Sequence, residues 1–200
     1  MVKTNHHSKA HTSIFRLVKL PDFIALASLV CGFLSMVQSV KQDFMGAALL
    51  IIAAAFFDWV NGEVAGLIQR RGNYGIELDS LTDAINFGVA PAIFGYFLGL
   101  NDNISLVVLI IFISASIMRL ARFNIIKKEA HYVLGLPTTA NGIAIPMLYS
   151  LIGIISVPFE ISRWIYLAYF LAASVAMLSR ISLPSIKMFR TYEYTDFYEH

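Results

Sequence analysis

Residues 58–83 read DWVNGEVAGLIQRRGNYGIELDSLTD and join two apolar segments that are each long enough to cross a membrane. They carry three carboxylates, Asp58, Asp79 and Asp83, where a spanning helix ordinarily has none. A charge at the bilayer centre costs at least ~2.5 kcal/mol on insertion scales, so such residues usually face a polar cavity and act there. Asp79 and Asp83 share one helix face, and Asp58 and Asn61 share a face of the preceding helix. Two oxygen-bearing faces that meet across a short loop predict a hard-cation site.

The composition predicts an all-α membrane protein. Of its 200 residues, 58% are hydrophobic, and the mean hydropathy is +0.68. We predict one membrane domain at residues 11–190, between a mobile cytosolic tail at 1–10 and a second cytosolic tail at 191–200. An amphipathic interfacial helix is expected just before Pro21, where a break is predicted. Each span needs about 20 residues. The six predicted spans are residues 22–40, 44–66, 78–98, 103–122, 138–157 and 162–182.

Basic residues predict the orientation of these spans. With the N-terminus inside, thirteen Lys and Arg residues fall on inner segments and two on outer ones. This positive-inside bias predicts a protein of the cytoplasmic (inner or plasma) membrane, with both termini and the acidic residues on the cytosolic side. The net charge of +2 is small and the basic residues follow the topology. Nucleic-acid binding is therefore not expected.

The chemistry of the acidic residues predicts a metal-dependent reaction at the membrane surface. Three close carboxylates repel one another unless a cation or a proton neutralises them. Oxygen ligands without His or Cys favour Mg²⁺ or Mn²⁺ over zinc. Such a metal typically neutralises a diphosphate, and one carboxylate would be left to accept a proton from an attacking hydroxyl. A buried structural ion site and a cation carrier are the weaker alternatives, because the acids concentrate near one membrane face.

The segment resembles the signature of the CDP-alcohol phosphatidyltransferases. The matching residues are Asp58, Gly62, Ala65, Gly75, Asp79 and Asp83. The resemblance implies a six-span homodimeric membrane enzyme whose site lies at the cytosolic ends of spans two and three. Further stretches look like the phosphatidylserine synthase branch: ELDSLTDAINFGVAPA (77–92), RLARFN (119–124), GLPTTANG (135–142) and LPSIK (183–187). That branch implies transfer of a phosphatidyl or archaetidyl group from a CDP-activated lipid to L-serine, with release of CMP.

Two residues depart from the family signature. Its second Asp is Asn61 here, and its Arg after the Ala is Gly66. Asn keeps an oxygen ligand but loses a charge, and the missing Arg removes a bidentate donor for the diphosphate. Arg70, one helical turn beyond Gly66, is expected to substitute in part. The alternative functions are a weakly active or inactive relative that binds lipid or nucleotide, and transfer to a different alcohol.

The resemblance also implies roles for individual residues. Asp58 and Asp79 would hold two Mg²⁺ or Mn²⁺ ions with Asn61, and Asp83 would be the general base and a further metal ligand. The nucleotide would contact Gly62, Ala65, Arg70 and Gly75. For the serine carboxylate or a lipid phosphate, the predicted contacts are Arg119, Arg122, Thr138 and Asn141, although Arg122 would equally serve as a membrane anchor.

Overall fold

The computed structural model describes residues 18–68, 73–126, 133–180 and 182–183, and these are predominantly helical. A short antiparallel pairing joins β1 (Val133–Leu134) to β2 (Ser182–Leu183). One π-helical segment spans Ala84–Val89. The α-helices are α1 (Leu20–Val40), α2 (Phe44–Ile68), α3 (Asn73–Asp83), α4 (Ala90–Phe97), α5 (Asn103–Ile126), α6 (Thr138–Ile155) and α7 (Phe159–Leu178).

Five of these helices, α1, α2, α5, α6 and α7, are long and apolar enough to cross a membrane. Their bounds agree with the predicted spans to within four residues. The remaining predicted span, residues 78–98, corresponds to α3, the π segment and α4, which follow one another without a gap from Asn73 to Phe97. Helix α3 carries Glu77, Asp79 and Asp83, so this stretch lacks the uniformly apolar composition of the other five.

Helices α1 and α2 form a tightly packed antiparallel pair. The buried face of α1 carries small side chains, including Ala25, Ser28, Gly32 and Ser35, spaced three or four residues apart. Small residues at this spacing let two helix backbones approach closely in a membrane. Helix α2 buries Ala47, Ala48, Ile51, Ala54 and Ala55. This packing holds the end of α2 that carries Asp58 against the start of α1.

The start of α1 differs in one respect from the prediction. We predicted a chain break at Pro21, but the helix already begins at Leu20 and Pro21 lies in its first turn. Proline is tolerated there because a first-turn N–H has no partner within the helix. The backbone N–H of Lys19 donates to Asp22 Oδ2 at 2.7 Å and stabilises this end. The predicted interfacial helix lies mostly outside the described residues, which begin at residue 18.

A hydrophobic core holds the middle of the bundle, and an ion pair holds the end opposite the acidic residues. Phe112 of α5 and Phe170 of α7 meet edge to face with ring centres 5.0 Å apart. Arg163 Nη2 of α7 lies 2.6 Å from Asp102 Oδ1, in the loop before α5. The Ser105 hydroxyl donates to Asp102, and this bond, assisted by Arg163, holds the pKa of that carboxyl below its usual range. The Arg163–Asp102 pair therefore lies at the other end of the helices from the acidic residues.

Candidate active site

The three carboxylates converge as the sequence predicted. Asp58 extends from α2, and Asp79 and Asp83 extend from α3, with one oxygen of each lying within 4.8 Å of the others. Two unit negative charges 4 Å apart repel by about 4 kcal/mol at an effective dielectric constant of 20. A cluster of this kind therefore favours an ion of opposite charge.

Asn61 completes the cluster on α2. Its side chain is 2% exposed, and its Nδ2 donates to Asp79 Oδ1 at 2.6 Å. Its Oδ1 is buried, as is Asp83 Oδ1, and neither accepts a hydrogen bond from the described residues. A buried oxygen without a donor costs about 1–3 kcal/mol, and a cation would remove that cost. The donor set of three carboxylates and one amide oxygen thus fits Mg²⁺ or Mn²⁺.

The N-terminus of α6 lies beside the carboxylates. The Thr139 hydroxyl donates to Asp58 Oδ2 at 3.4 Å, which places the first turn of α6 next to the end of α2. Thr138, the first residue of α6, is fully buried and accepts a hydrogen bond from Arg119 Nη1 at 3.4 Å. The first N–H groups of a helix point outward and its N-terminus carries partial positive charge. This end of α6 is therefore suited to negative groups.

Two buried donors near this turn have unused hydrogen-bonding capacity. Arg119 is 6% exposed and its Nε meets no acceptor in the part of the chain that the structure describes. Asn141, three residues after Thr138 on the same face of α6, is 2% exposed and its Nδ2 likewise finds no described acceptor. The Arg119 guanidinium also lies 5.2 Å from the ring centre of Phe123 and interacts electrostatically with Asp83. A buried donor that lacks an acceptor favours an anionic ligand, and both side chains belong to or contact the first turn of α6.

Arg122, by contrast, contacts the end of α7. Its guanidinium donates to the carbonyls of Met177, Leu178 and Ser179 at 2.9, 3.1 and 3.2 Å. The last carbonyls of a helix have no partner within it, and a basic side chain there stabilises them. Gly135, with φ of +76°, packs against the Met177 carbonyl where a Cβ would collide. The structure therefore gives Arg122 a helix-capping contact that the sequence reasoning did not anticipate.

The residues assigned to the nucleotide have different surroundings. Gly62 is exposed, and a Cβ added there would meet nothing within 4 Å. Ala65 is 1% exposed within α2. A Cβ on Gly75 would lie 2.8 Å from Asp22 Oδ1, so this glycine permits α3 to approach α1. Arg70 lies outside the described residues, in the gap at 69–72.

Sequence reasoning missed several polar contacts around the cluster. Asn124 accepts a hydrogen bond from the Ser80 hydroxyl at 3.1 Å and donates to Glu77 at 3.4 Å, which joins the end of α5 to α3. Asp22, only 5% exposed, packs against Gly75. Both residues stand in recognisable places, Asn124 at the end of the RLARFN stretch and Asp22 directly after Pro21. A polar residue near the end of an apolar helix was the signal that would have found them.

The chain is similar in sequence to known proteins of one family. The sequence profile of the CDP-alcohol phosphatidyltransferases matches residues 18–180. A CDP-diacylglycerol–serine O-phosphatidyltransferase of Helicobacter pylori is 30% identical over 175 residues, which are 86% of this chain and 74% of the relative. An archaetidylserine synthase of Methanothermobacter thermautotrophicus is 33% identical over 177 residues, 86% of this chain and 72% of the relative. A yeast serine O-phosphatidyltransferase is 34% identical over 122 residues, 58% of this chain and 44% of the relative.

Proposed function

Because the chain belongs to the CDP-alcohol phosphatidyltransferase family, we propose that it transfers a phosphatidyl or archaetidyl group from a CDP-activated lipid to L-serine. CMP is the second product, and the reaction belongs to phospholipid biosynthesis. The bacterial and archaeal relatives described above are both named for serine as acceptor. The convergence of Asp58, Asp79 and Asp83 is the observation that carries the proposal, because it assembles the acidic part of the family signature into one site.

The reaction forms one phosphorus–oxygen bond and breaks another. The serine hydroxyl oxygen attacks the lipid-side phosphorus, and the bond from that phosphorus to the CMP oxygen breaks. Asp83 accepts the hydroxyl proton, since its buried Oδ1 receives no hydrogen bond from the described residues. Asp58, Asn61, Asp79 and Asp83 would hold two divalent ions. Bound there, Mg²⁺ or Mn²⁺ supplies positive charge that neutralises the diphosphate and the departing phosphate.

The substrates would occupy two sides of this cluster. The nucleotide would lie along α2 at the exposed Gly62, and Arg70 would contact the diphosphate in place of the arginine that Gly66 replaces. Open space around Gly62 supports this arrangement, because a ligand has room to approach the α2 backbone. Serine lies on the α6 side, where the unpaired donors of Arg119 and Asn141 are buried.

Arg119 supplies the first testable consequence. Arg119→Gln is expected to raise the KM for L-serine by about 10- to 100-fold, because a hydrogen bond to a charged group contributes about 1.5–3 kcal/mol. Arg119→Lys keeps the charge but loses the planar guanidinium. Its KM for L-serine should lie between those of the parental protein and Arg119→Gln. Arg163→Gln is the matched control, since Arg163 pairs with Asp102 at the other end of the bundle. A raised KM for the CDP-lipid alone would reassign Arg119 to a lipid phosphate, and unchanged KM values would remove it from the site.

The membrane arrangement is part of the same proposal. The run from α3 through α4 is helical for 25 residues, long enough for the ~30 Å hydrocarbon core, and would be the third of six spans. An interfacial helix would precede the first span within a domain at residues 11–190. The excess of basic residues on the inner segments supports cytosolic termini and a site open to the cytosol. The homodimer rests on the family resemblance, and crosslinking of the protein in membranes would test it.

A second candidate function rests on Asn61. Its amide takes up one oxygen of Asp79, which a family-typical aspartate would leave available to a cation. Together with Gly66, this contact favours a relative that binds nucleotide or lipid but turns over slowly. In that case the double variant Asn61→Asp with Gly66→Arg would restore tight metal binding and turnover, because it returns one charge and one bidentate donor.

The deciding experiment is CMP release by the purified protein in detergent, with a CDP-lipid and Mn²⁺ or Mg²⁺. Serine-dependent CMP that disappears with EDTA is the expected result. CMP release only with another alcohol would show that this alcohol, and not serine, is the acceptor. No CMP from the parental protein, followed by release from the double variant, would support the binding function instead.

A further inference from the structure

A buried chain of hydrogen bonds crosses three helical elements beneath the carboxylates. Asn86 of the π segment is fully buried and its Nδ2 donates to Ser28 Oγ of α1 at 2.7 Å. The Ser28 hydroxyl in turn donates to the carbonyl of Ala54 in α2 at 2.8 Å. Each of these two hydrogen bonds joins a donor on one helical element to an acceptor on another. The chain therefore links the π segment, α1 and α2 at one level of the bundle.

Both ends of the chain lie next to the acidic residues. Asn86 is three residues after Asp83 on the same continuous helix. Ala54 is four residues before Asp58 in α2, and a regular α-helix pairs the N–H of a residue with the carbonyl four positions earlier. Ser28 thus bonds to the same carbonyl that accepts the backbone N–H of Asp58 in a regular helix. A shift at Ser28 would therefore move both the helical turn that carries Asp58 and the helical turn that carries Asp83.

The backbone around Asn86 is specialised for this contact. The N–H of Ala90 bonds to the carbonyl of Ile85, the wide spacing of a π-helix. Segments of this kind are rare and are often found at functional sites, because they turn side chains to directions that an α-helix does not offer. On the facing helix a Cβ on Gly32 would collide with Asn86 Oδ1. Glycine at position 32 is thus required for Asn86 to reach Ser28.

We propose that Ser28 and Asn86 are positioning residues that set the separation of Asp58 and Asp83, and thereby the affinity of the cluster for a divalent cation. The inference rests on the proposed function only in that the cation serves the transfer reaction. Neither side chain is a predicted metal ligand. They act through the two turns that carry the ligands, as outer partners of metal ligands do in other proteins.

The test measures Mn²⁺ affinity by electron paramagnetic resonance on detergent-purified full-length protein without substrates. Ser28→Ala and Asn86→Leu are each expected to weaken binding by about 10-fold, the lower end of the effect of removing an outer partner. The double variant should bind Mn²⁺ as tightly as the single variant with the lower affinity, because either change alone already breaks the chain of hydrogen bonds. Ser35→Ala is the matched control, since Ser35 is equally buried in α1 but its hydroxyl donates to the Gly32 carbonyl of its own helix rather than to another element.

The outcomes separate positioning from general support of the fold. Melting temperatures recorded for all variants measure how far each change destabilises the fold, and Mn²⁺ affinity should fall by about 10-fold in Ser28→Ala and stay parental in Ser35→Ala. Equal Mn²⁺ affinities in these two variants, or additive losses in the double variant, would overturn the proposal, as would a parental protein that binds no Mn²⁺. If Asn86→Leu does not accumulate, Asn86→Ala takes its place. Because no turnover is needed, a parental protein without serine-dependent CMP release would refute the proposed function and leave this comparison valid.

Discussion

Asp83→Asn is expected to lower kcat for serine-dependent CMP release by about 10²- to 10⁴-fold, the contribution of a positioned general base. An amide matches the carboxylate in size but does not accept the serine proton. Asp83 stands where that proton transfer would occur, because its Oδ1 is buried beside Asp58 and Asp79 and no described residue donates to it. Assays at saturating serine and CDP-lipid isolate this effect from weaker substrate binding.

The control for this variant is Asp102→Asn, which removes a carboxylate from the other end of the bundle. It should keep parental kcat. Measuring Mn²⁺ affinity alongside kcat separates the two roles proposed for Asp83. A loss of kcat with Mn²⁺ still bound identifies the base, whereas parallel losses identify a metal ligand. Near-parental turnover in Asp83→Asn would remove Asp83 from the base role.

Asp79→Asn is expected to weaken Mn²⁺ binding by at least about 100-fold and to lower turnover accordingly. A full charge 4 Å from a unit cation contributes about 4 kcal/mol at an effective dielectric constant of 20, and more for a divalent ion. Asp79 also accepts the Asn61 amide at 2.6 Å, so the variant would place two neutral amides side by side. Thermal stabilisation of the purified protein by Mn²⁺ reports the loss without any substrate.

Glu77→Gln is the matched control for Asp79→Asn, because Glu77 is an exposed acid two residues away on the same helix. It should retain metal-dependent stabilisation. If Asp79→Asn is stabilised by Mn²⁺ as strongly as the parental protein, the ion does not bind between Asp58 and Asp79. If Glu77→Gln loses as much as Asp79→Asn, general surface charge explains the effect.

Much of the site was predictable because its information is local. Asp79 and Asp83 are four residues apart, and helical periodicity alone puts them on one face. The helices that carry Asp58 and Asp79 are separated by few residues along the chain, since one ends at Ile68 and the next begins at Asn73, so their adjacent ends meet. The spans followed from apolar runs, and α5 and α6 begin at the predicted residues 103 and 138. One predicted span, residues 78–98, is not among the five long apolar helices, and its acidic residues Asp79 and Asp83 lie in α3.

The partner of each polar side chain was much less predictable. Arg119 and Arg122 occur in one short motif, yet Arg119 turns inward to Thr138 while Arg122 reaches the end of α7. The two are three residues apart and therefore lie on nearly the same face of α5, so helical spacing alone does not decide that their partners differ. Which neighbour each meets depends on how α6 and α7 pack around α5. The RLARFN sequence by itself does not determine that packing.

Hydropathy, charge bias and helical spacing specified a helical membrane protein with an oxygen-rich cluster, because these properties are additive along a short stretch of chain. Contacts between distant segments needed the folded molecule. Ser28 and Asn86 are 58 residues apart and meet because small residues let α1 approach, with Gly32 leaving space for the Asn86 side chain. The Asn61 contact with Asp79 and the unpaired donors at Arg119 and Asn141 arise in the same way. Burial removes water as an alternative partner, so packing alone decides which groups pair and which remain for a ligand.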